Sequence, residues 1–204
     1  MIQLYWKKRI YNDLGEAIGK SLDINPEGNV IIVGSPWNNS YQGGFAKVFE
    51  WTGVSWVQKG QLISNNANSG NLGYSVSISK DGNTIAVGCP YQQINGQSFG
   101  AVNIYEFKNG QWVIKGQMLQ GEKEWSGFGS AVSLYNNGSE IAIGSPYFSP
   151  NNNGEGKVDF YRFSNNDWVN LNISLNGAIN NENFGSSIST SLNGEKILIY
   201  SLGY

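Results

Sequence analysis

The stretch FGSAVSLYNNGSEIAIGSPYF, residues 128–148, decides the fold, because the chain spells nearly the same phrase elsewhere. Residues 72–91 read LGYSVSISKDGNTIAVGCPY, residues 18–37 read IGKSLDINPEGNVIIVGSPW, and residues 184–201 read FGSSISTSLNGEKILIYS. Trp56, Trp112 and Trp168 are separated by 56 and 56, as are Leu72, Phe128 and Phe184, and Gly44, Gly100 and Gly156. The first copy of the phrase precedes the second by 54, because the loop from Pro36 to Gly44 is two residues shorter than that from Pro90 to Gly100. Self-similarity at a fixed period is the signature of a repeat architecture.

Within each unit the chemistry reads as four strands. Strand a is Gly129–Tyr135, in which Ala131 and Ser133 alternate with Val132 and Leu134. A turn follows at Asn137-Gly138, matched by Glu27-Gly28, Asp81-Gly82 and Asn193-Gly194. Such pairs accept the positive φ of a two-residue type I′ hairpin, which is the expectation here. Strand b, Glu140–Pro146, closes on a proline that removes a ladder donor. Strand c is expected at Ala46–Trp51, Val102–Phe107 and Val158–Phe163, and strand d opens on the repeated tryptophan. No segment of helical length has a 3.6-residue period. Val102 and Ile104 point to one side of strand c, Tyr105 and Phe107 to the other, so each sheet should be covered on both faces. Four-stranded antiparallel units stacked face to face are the blades of a β-propeller, and the fold class is all-β. Gly34, Gly88 and Gly144, each followed by a small residue (Ser35, Cys89, Ser145), fit crowded inner strands.

The phrase Phe128-Gly129 … Ile141-Ala142-Ile143-Gly144-Ser145-Pro146 resembles the FG-GAP repeat of integrin-α-type propellers. The longer pattern from Trp112 through Lys115-Gly116 and Gly121-Glu122 to Phe128-Gly129-Ser130 resembles the FG-GAP-like repeats of secreted bacterial, algal and viral proteins. That resemblance implies a non-enzymatic adhesion or interaction scaffold, placed outside the cell or on a virion surface, binding a protein or a surface glycan. It does not extend to calcium. Integrin-type blades carry D-x-D-x-D-G between strands a and b. Here the four turns hold Asn25-Pro26-Glu27-Gly28, Ser79-Lys80-Asp81-Gly82, Tyr135-Asn136-Asn137-Gly138 and Ser191-Leu192-Asn193-Gly194, with at most one carboxylate each. Calcium needs six to eight oxygens, several of them charged, so no metal and no cofactor is expected.

The chain is read as one propeller domain, with repeats at about 18–71, 72–127 and 128–183 and a partial one at 184–204. Tyr5-Trp6-Lys7-Lys8 resembles a strand d, so a closing strand is expected at about residues 3–9. It would complete a composite fourth blade with the final a–b pair, leaving no edge open. The alternative is a half-ring, two copies of which join into about eight blades as a homodimer, and a fragment of a longer protein is the third reading.

In a meandering blade the a–b and c–d turns lie at one end and the b–c and d–a loops at the other. The first set is short and the second long, so binding residues are expected on the long-loop face. Candidates there are Tyr41, Trp125, Phe148, Phe99, Trp37, Tyr91 and Tyr147. Trp37, Tyr91 and Tyr147 recur in the slot after proline, which favours gap-filling between blades. Tyr41, Trp125 and Phe148 have no counterparts, which raises a binding role through an exposed ring. Trp56, Trp112 and Trp168 are expected to be architectural.

Other chemistry is thin. The chain has no histidine, one cysteine and a net charge of −2 with pI near 5.2, which gives no general attraction for nucleic acid. Glu122-Lys123-Glu124 offers an acidic pair without a distinctive spacing, and Ser79-Lys80-Asp81-Gly82 resembles the start of a sialidase Asp box but lacks its continuation. Lys7-Lys8-Arg9 is a short basic run that fits a solvated strand edge. No enzymatic activity is expected; glycan cleavage is the weak alternative, and a structural assembly role the stronger one. No apolar stretch is long enough to insert in a membrane, and no signal-peptide core is visible. N-x-S sequons at Asn38, Asn137 and Asn172 leave the compartment open.

Overall fold

Each repeat folds because its apolar residues alternate on strands that are buried from both sides. The structure, a computed structural model, describes residues 18–37, 43–64, 70–149 and 154–203. The closing strand expected near 3–9, the basic run Lys7–Arg9, the Asn38 sequon and Tyr41 lie outside these residues.

The first sheet runs β1 (Ser21–Ile24), β2 (Val30–Ser35), β3 (Phe45–Trp51), β4 (Trp56–Gln58), with β5 (Ile63–Ser64) pairing further along β3. In the second, β6 (Ser75–Ile78), β7 (Thr84–Cys89), β10 (Ala101–Lys108) and β11 (Gln111–Ile114) repeat that order, with β12 (Leu119–Gln120) on β10. The intervening β8 (Gln93–Ile94) and β9 (Gln97–Ser98) form a hairpin inside the b–c loop. The third sheet is β13 (Ala131–Tyr135), β14 (Glu140–Ser145), β15 (Lys157–Ser164) and β16 (Asp167–Asn176). A last a–b pair, β17 (Ser187–Thr190) and β18 (Ile197–Tyr200), follows. All pairings between these strands are antiparallel.

The cores lie between blades. One cluster joins Val30, Ile32 and Val48 of the first sheet to Val76, Ile78, Ile85 and Val87 of the second. A second joins Val102 and Ile104 to Val132, Leu134, Ile141 and Ile143. Tyr105 and Phe107, on the opposite side of β10 from Val102 and Ile104, pack back on the first cluster. Both faces of strand c are therefore covered, as the sequence implied.

Neighbouring blades also meet through backbone. Parallel single bridges join Gly44 to Leu72, Gly100 to Phe128 and Gly156 to Phe184. A Cβ placed on Gly34, Gly88 or Gly144 would lie 2.1 Å from the carbonyl oxygen of Gly73, Gly129 or Gly185 of the next blade. These glycines are small because another backbone occupies the space of a side chain. Ser21 and Ser75 donate to the same carbonyls of Gly73 and Gly129, each at 2.8 Å.

The turns correct one expectation. All four a–b loops have four residues, not two: Asn25 and Val30, Ser79 and Thr84, and Ser191 and Lys196 close them by backbone bonds, and Tyr135 pairs with Glu140. Glycine alone takes the positive φ at Gly28, Gly82 and Gly194, whereas Asn136 and Asn137 join Gly138 in the left-handed region. Side-chain oxygens of Asn25, Ser79 and Ser191 accept from Val30, Thr84 and Lys196 N–H groups, which is why a longer loop closes as firmly as a tight one. Two-residue turns with paired positive φ occur instead between strands c and d, at Asn109-Gly110 and Asn165-Asn166.

Candidate functional site

The two kinds of loop separate to opposite ends. At one end the a–b turns touch in series: Asn25 donates to the Lys80 carbonyl at 3.3 Å, Asp81 N–H to Asn137 Oδ1 at 3.2 Å, and Asn136 N–H to the Leu192 carbonyl at 2.9 Å. At the other end the b–c and d–a loops interlock. Tyr91 N–H donates to the Gly70 carbonyl at 3.3 Å, Tyr147 N–H to Ser126 at 3.0 Å, and Trp125 N–H to Ser98 at 2.7 Å.

On that long-loop end the rings from the slot after proline gather. Trp37 meets Tyr74 edge-on at 6.3 Å between centroids, and Tyr74 meets Tyr91 edge-on at 6.4 Å. Edge-to-face pairs add roughly 0.5–1.5 kcal/mol beyond area burial. Lys20 caps the row, its ammonium 5.8 Å from the Trp37 ring and 5.4 Å from that of Tyr74. Tyr147 lies close enough that its charge, second to burial, helps push up the phenol pKa of both Tyr74 and Tyr91. Trp37 and Tyr147 keep 51% and 47% of their surface in water. Gap-filling, the first expectation for this slot, thus describes only part of these side chains; each also presents a face to solvent.

Trp125 stands apart. It is 62% exposed and has φ of +60°, and among the described residues every other non-glycine in the left-handed region is an asparagine. Asparagine tolerates that conformation through its short polar side chain, whereas a tryptophan there carries roughly 1–3 kcal/mol of strain. Phe148 and Phe99 are half-buried: Phe148 lies under the Lys157 ammonium at 4.8 Å, and the Phe99 carbonyl sits 2.3 Å from where a Cβ on Gly121 would be.

Tyr74 was missed by the sequence reading. It occupies the slot after Leu72-Gly73, held elsewhere by Lys20, Ser130 and Ser186, and only its aromatic character among polar counterparts could have marked it. The acidic pair is dispersed: Glu122 pairs with Lys157 at 3.0 Å, Glu124 accepts from Gln97 at 3.3 Å, and Lys123 donates to the Ser149 carbonyl. Cys89 is fully buried, and burial pushes its thiol up to about 12, which suits a packed residue. Among the described residues no group of three or more His, Cys, Asp or Glu is placed to hold a metal ion, and no helix is long and apolar enough to cross a membrane.

The architectural tryptophans join blades at their outer edge. Trp112 Nε1 donates to the Lys59 carbonyl and Trp168 Nε1 to that of Lys115, each at 2.8 Å. Gln61 and Gln117 clasp the backbone of Trp112 and Trp168 with both amide atoms. The Lys-Gly-Gln triplet after strand d exists to seat the next blade's indole.

No protein-family model matches the chain, and no curated protein does. Solved structures do. A "putative 6-phosphogluconolactonase" from Bacteroides uniformis is 12% identical at a TM-score of 0.59, with 89% of this chain covering 46% of that one. A second so named, from Bacteroides fragilis, is 11% identical at 0.53, with 87% of this chain covering 40%. The Dos1 propeller is 14% identical at 0.58, with 95% of this chain covering 41%. The fold is that of a β-propeller. The chain spans less than half the length of the solved structures it matches.

Proposed function

We propose that this chain is a non-enzymatic interaction scaffold of the FG-GAP-like kind, using its long-loop face to bind a protein or a glycan. The observation that carries the reading is the row Trp37, Tyr74 and Tyr91, held edge-on, with the half-exposed Tyr147 beside it and the strained and exposed Trp125 on the same face. Half-exposed aromatic rings on a rigid sheet scaffold offer apolar area at little entropic cost, which suits a sugar face or a hydrophobic side chain. The repeated Gly-Ser-Pro and Phe-Gly phrases support the FG-GAP-like assignment, because their glycines mediate the contact between blades.

The test is a glycan array and a pull-down with the intact chain beside Trp125→Ala and Tyr147→Ala. Each substitution is expected to weaken capture by about 2 kcal/mol, roughly thirtyfold, as for a central aromatic anchor. Unchanged capture by both variants removes the reading. Turnover of a chromogenic glycoside or of a 6-phosphogluconolactone replaces it with an enzymatic one.

A further inference from the structure

The third blade breaks the repeat at one place. The first residue of strand c is Phe45 in the first blade and Ala101 in the second, both fully buried, but Lys157 in the third. Two residues on, Lys47 and Asn103 are replaced by Asp159. Lys157 and Asp159 are 7% and 3% exposed and pair at 3.1 Å. Glu122 joins Lys157 at 3.0 Å, Ser174 donates to Asp159 at 2.5 Å, and the Phe148 ring lies 4.8 Å from the ammonium. A buried ion pair is weak support for a fold, since apolar residues at the same site do as well or better. Phe45 and Ala101 are those residues here, so packing does not account for the exchange.

Beside this cluster is an open recess of about 570 Å³, lined by Phe148, Glu155, Lys157, Ser174 and Asn176 with the backbone of Gly177. One oxygen of Glu155, Oε2, is out of water and has no hydrogen-bond donor among the described residues. Leaving a carboxylate oxygen unpaired and dry is costly, so the position is built for a donor that arrives from outside.

We infer that this recess binds a neutral, hydroxyl-rich ring, a monosaccharide or the end of a glycan. The wall mixes acceptors (Glu155) with donors and acceptors together (Asn176), which matches hydroxyls that both give and take. Phe148 supplies an apolar surface of the kind sugar C–H faces cover. The Lys157 ammonium is already paired with Glu122 and Asp159, and Glu155 adds a third carboxylate to the lining, so a phosphate or carboxylate on the ligand is repelled. The inference rests on the long-loop face being a binding face, but names residues apart from the aromatic row.

The experiment uses the intact chain with methyl glycosides of glucose, galactose, mannose and N-acetylglucosamine, read by ligand-observed NMR, with glucose 6-phosphate and glucosamine as charged comparators. At least one neutral glycoside is expected to bind at millimolar concentration, and Glu155→Gln to weaken it about tenfold. Asn176→Ala should do the same, while Val54→Ser, in the exposed turn between β3 and β4 at the opposite end, leaves it unchanged. No binding by any neutral glycoside, no effect of Glu155→Gln or Asn176→Ala, or tighter binding of either charged comparator overturns the inference. Capture on the glycan array that is lost in Trp125→Ala but kept in Glu155→Gln overturns the recess alone and leaves the face reading standing.

Discussion

Trp125 shows how one residue separates stability from use. Among the described non-glycines its positive φ of +60° is shared only with asparagines, and its ring is mostly in water, so it gains little burial for its strained backbone. Trp125→Asn is therefore expected to raise folding stability by about 1 kcal/mol in denaturant or thermal melts. The same variant should lose capture on the long-loop face. A variant less stable than the parent would mean that the indole is a packing element. Asp23 behaves differently: it accepts from the Ile78 and Ile24 N–H groups and the Ser77 hydroxyl, yet burial outweighs these bonds and raises its pKa. It ties β1 to β6 rather than marking a site.

At the scale of elements, the unit of cohesion is the contact between successive blades. Each inner glycine of strand b faces the next blade's carbonyl, Trp112 and Trp168 of strand d reach back to the previous blade, and the core clusters span two sheets. Lys59 and Lys115 extend this pattern, running from strand d to the next a–b turn at the Gly82 and Gly138 carbonyls. Gly144→Ala is the sharp test. Its Cβ would meet the Gly185 carbonyl oxygen at 2.1 Å, a backbone atom that cannot swing aside as the Ile188 side chain at 3.3 Å can. A loss of about 3 kcal/mol is expected in chemical denaturation. A loss below about 0.5 kcal/mol would mean that the blades slide apart easily and that the backbone contact does not hold them.

At the scale of the whole molecule, the two ends of the row of sheets are apolar and open. Leu22 and Ile24 are 70% and 52% exposed, whereas their counterparts Val76, Ile78, Val132 and Leu134 are 6–8% exposed. At the far end Leu198 and Tyr200 are 73% and 56% exposed. Tyr200 stands where Gly34, Gly88 and Gly144 admit the next blade's carbonyl, so a further blade cannot dock there by the same bridge. Apolar patches of this kind mark association surfaces. We propose a second copy as the occupant, because these exposed faces are apolar like the surfaces that meet between successive blades. Light scattering after size exclusion should give a mass above the 22.4 kDa of one chain, rising with concentration and lowered by Leu22→Lys. A mass of one chain at every concentration sinks the half-ring.

Sequence alone determined the sheets, their order and the end that carries the loops, because period-2 alternation and a 56-residue echo are local signals that each strand carries within itself. The short turns between strands c and d were legible as well, and only the a–b loops were read two residues too short: Asn-Gly marks a left-handed turn wherever it falls, but side-chain bonds from Asn25, Ser79 and Ser191 decide the loop length. The aromatic candidates were legible as positions. Their joining into one row through Tyr74 was not, nor was the cluster of Lys157, Asp159, Glu122 and Ser174, whose members are up to 52 residues apart. Distance across blades is set by how sheets stack, and stacking is a property of buried surfaces that meet only after the chain has folded.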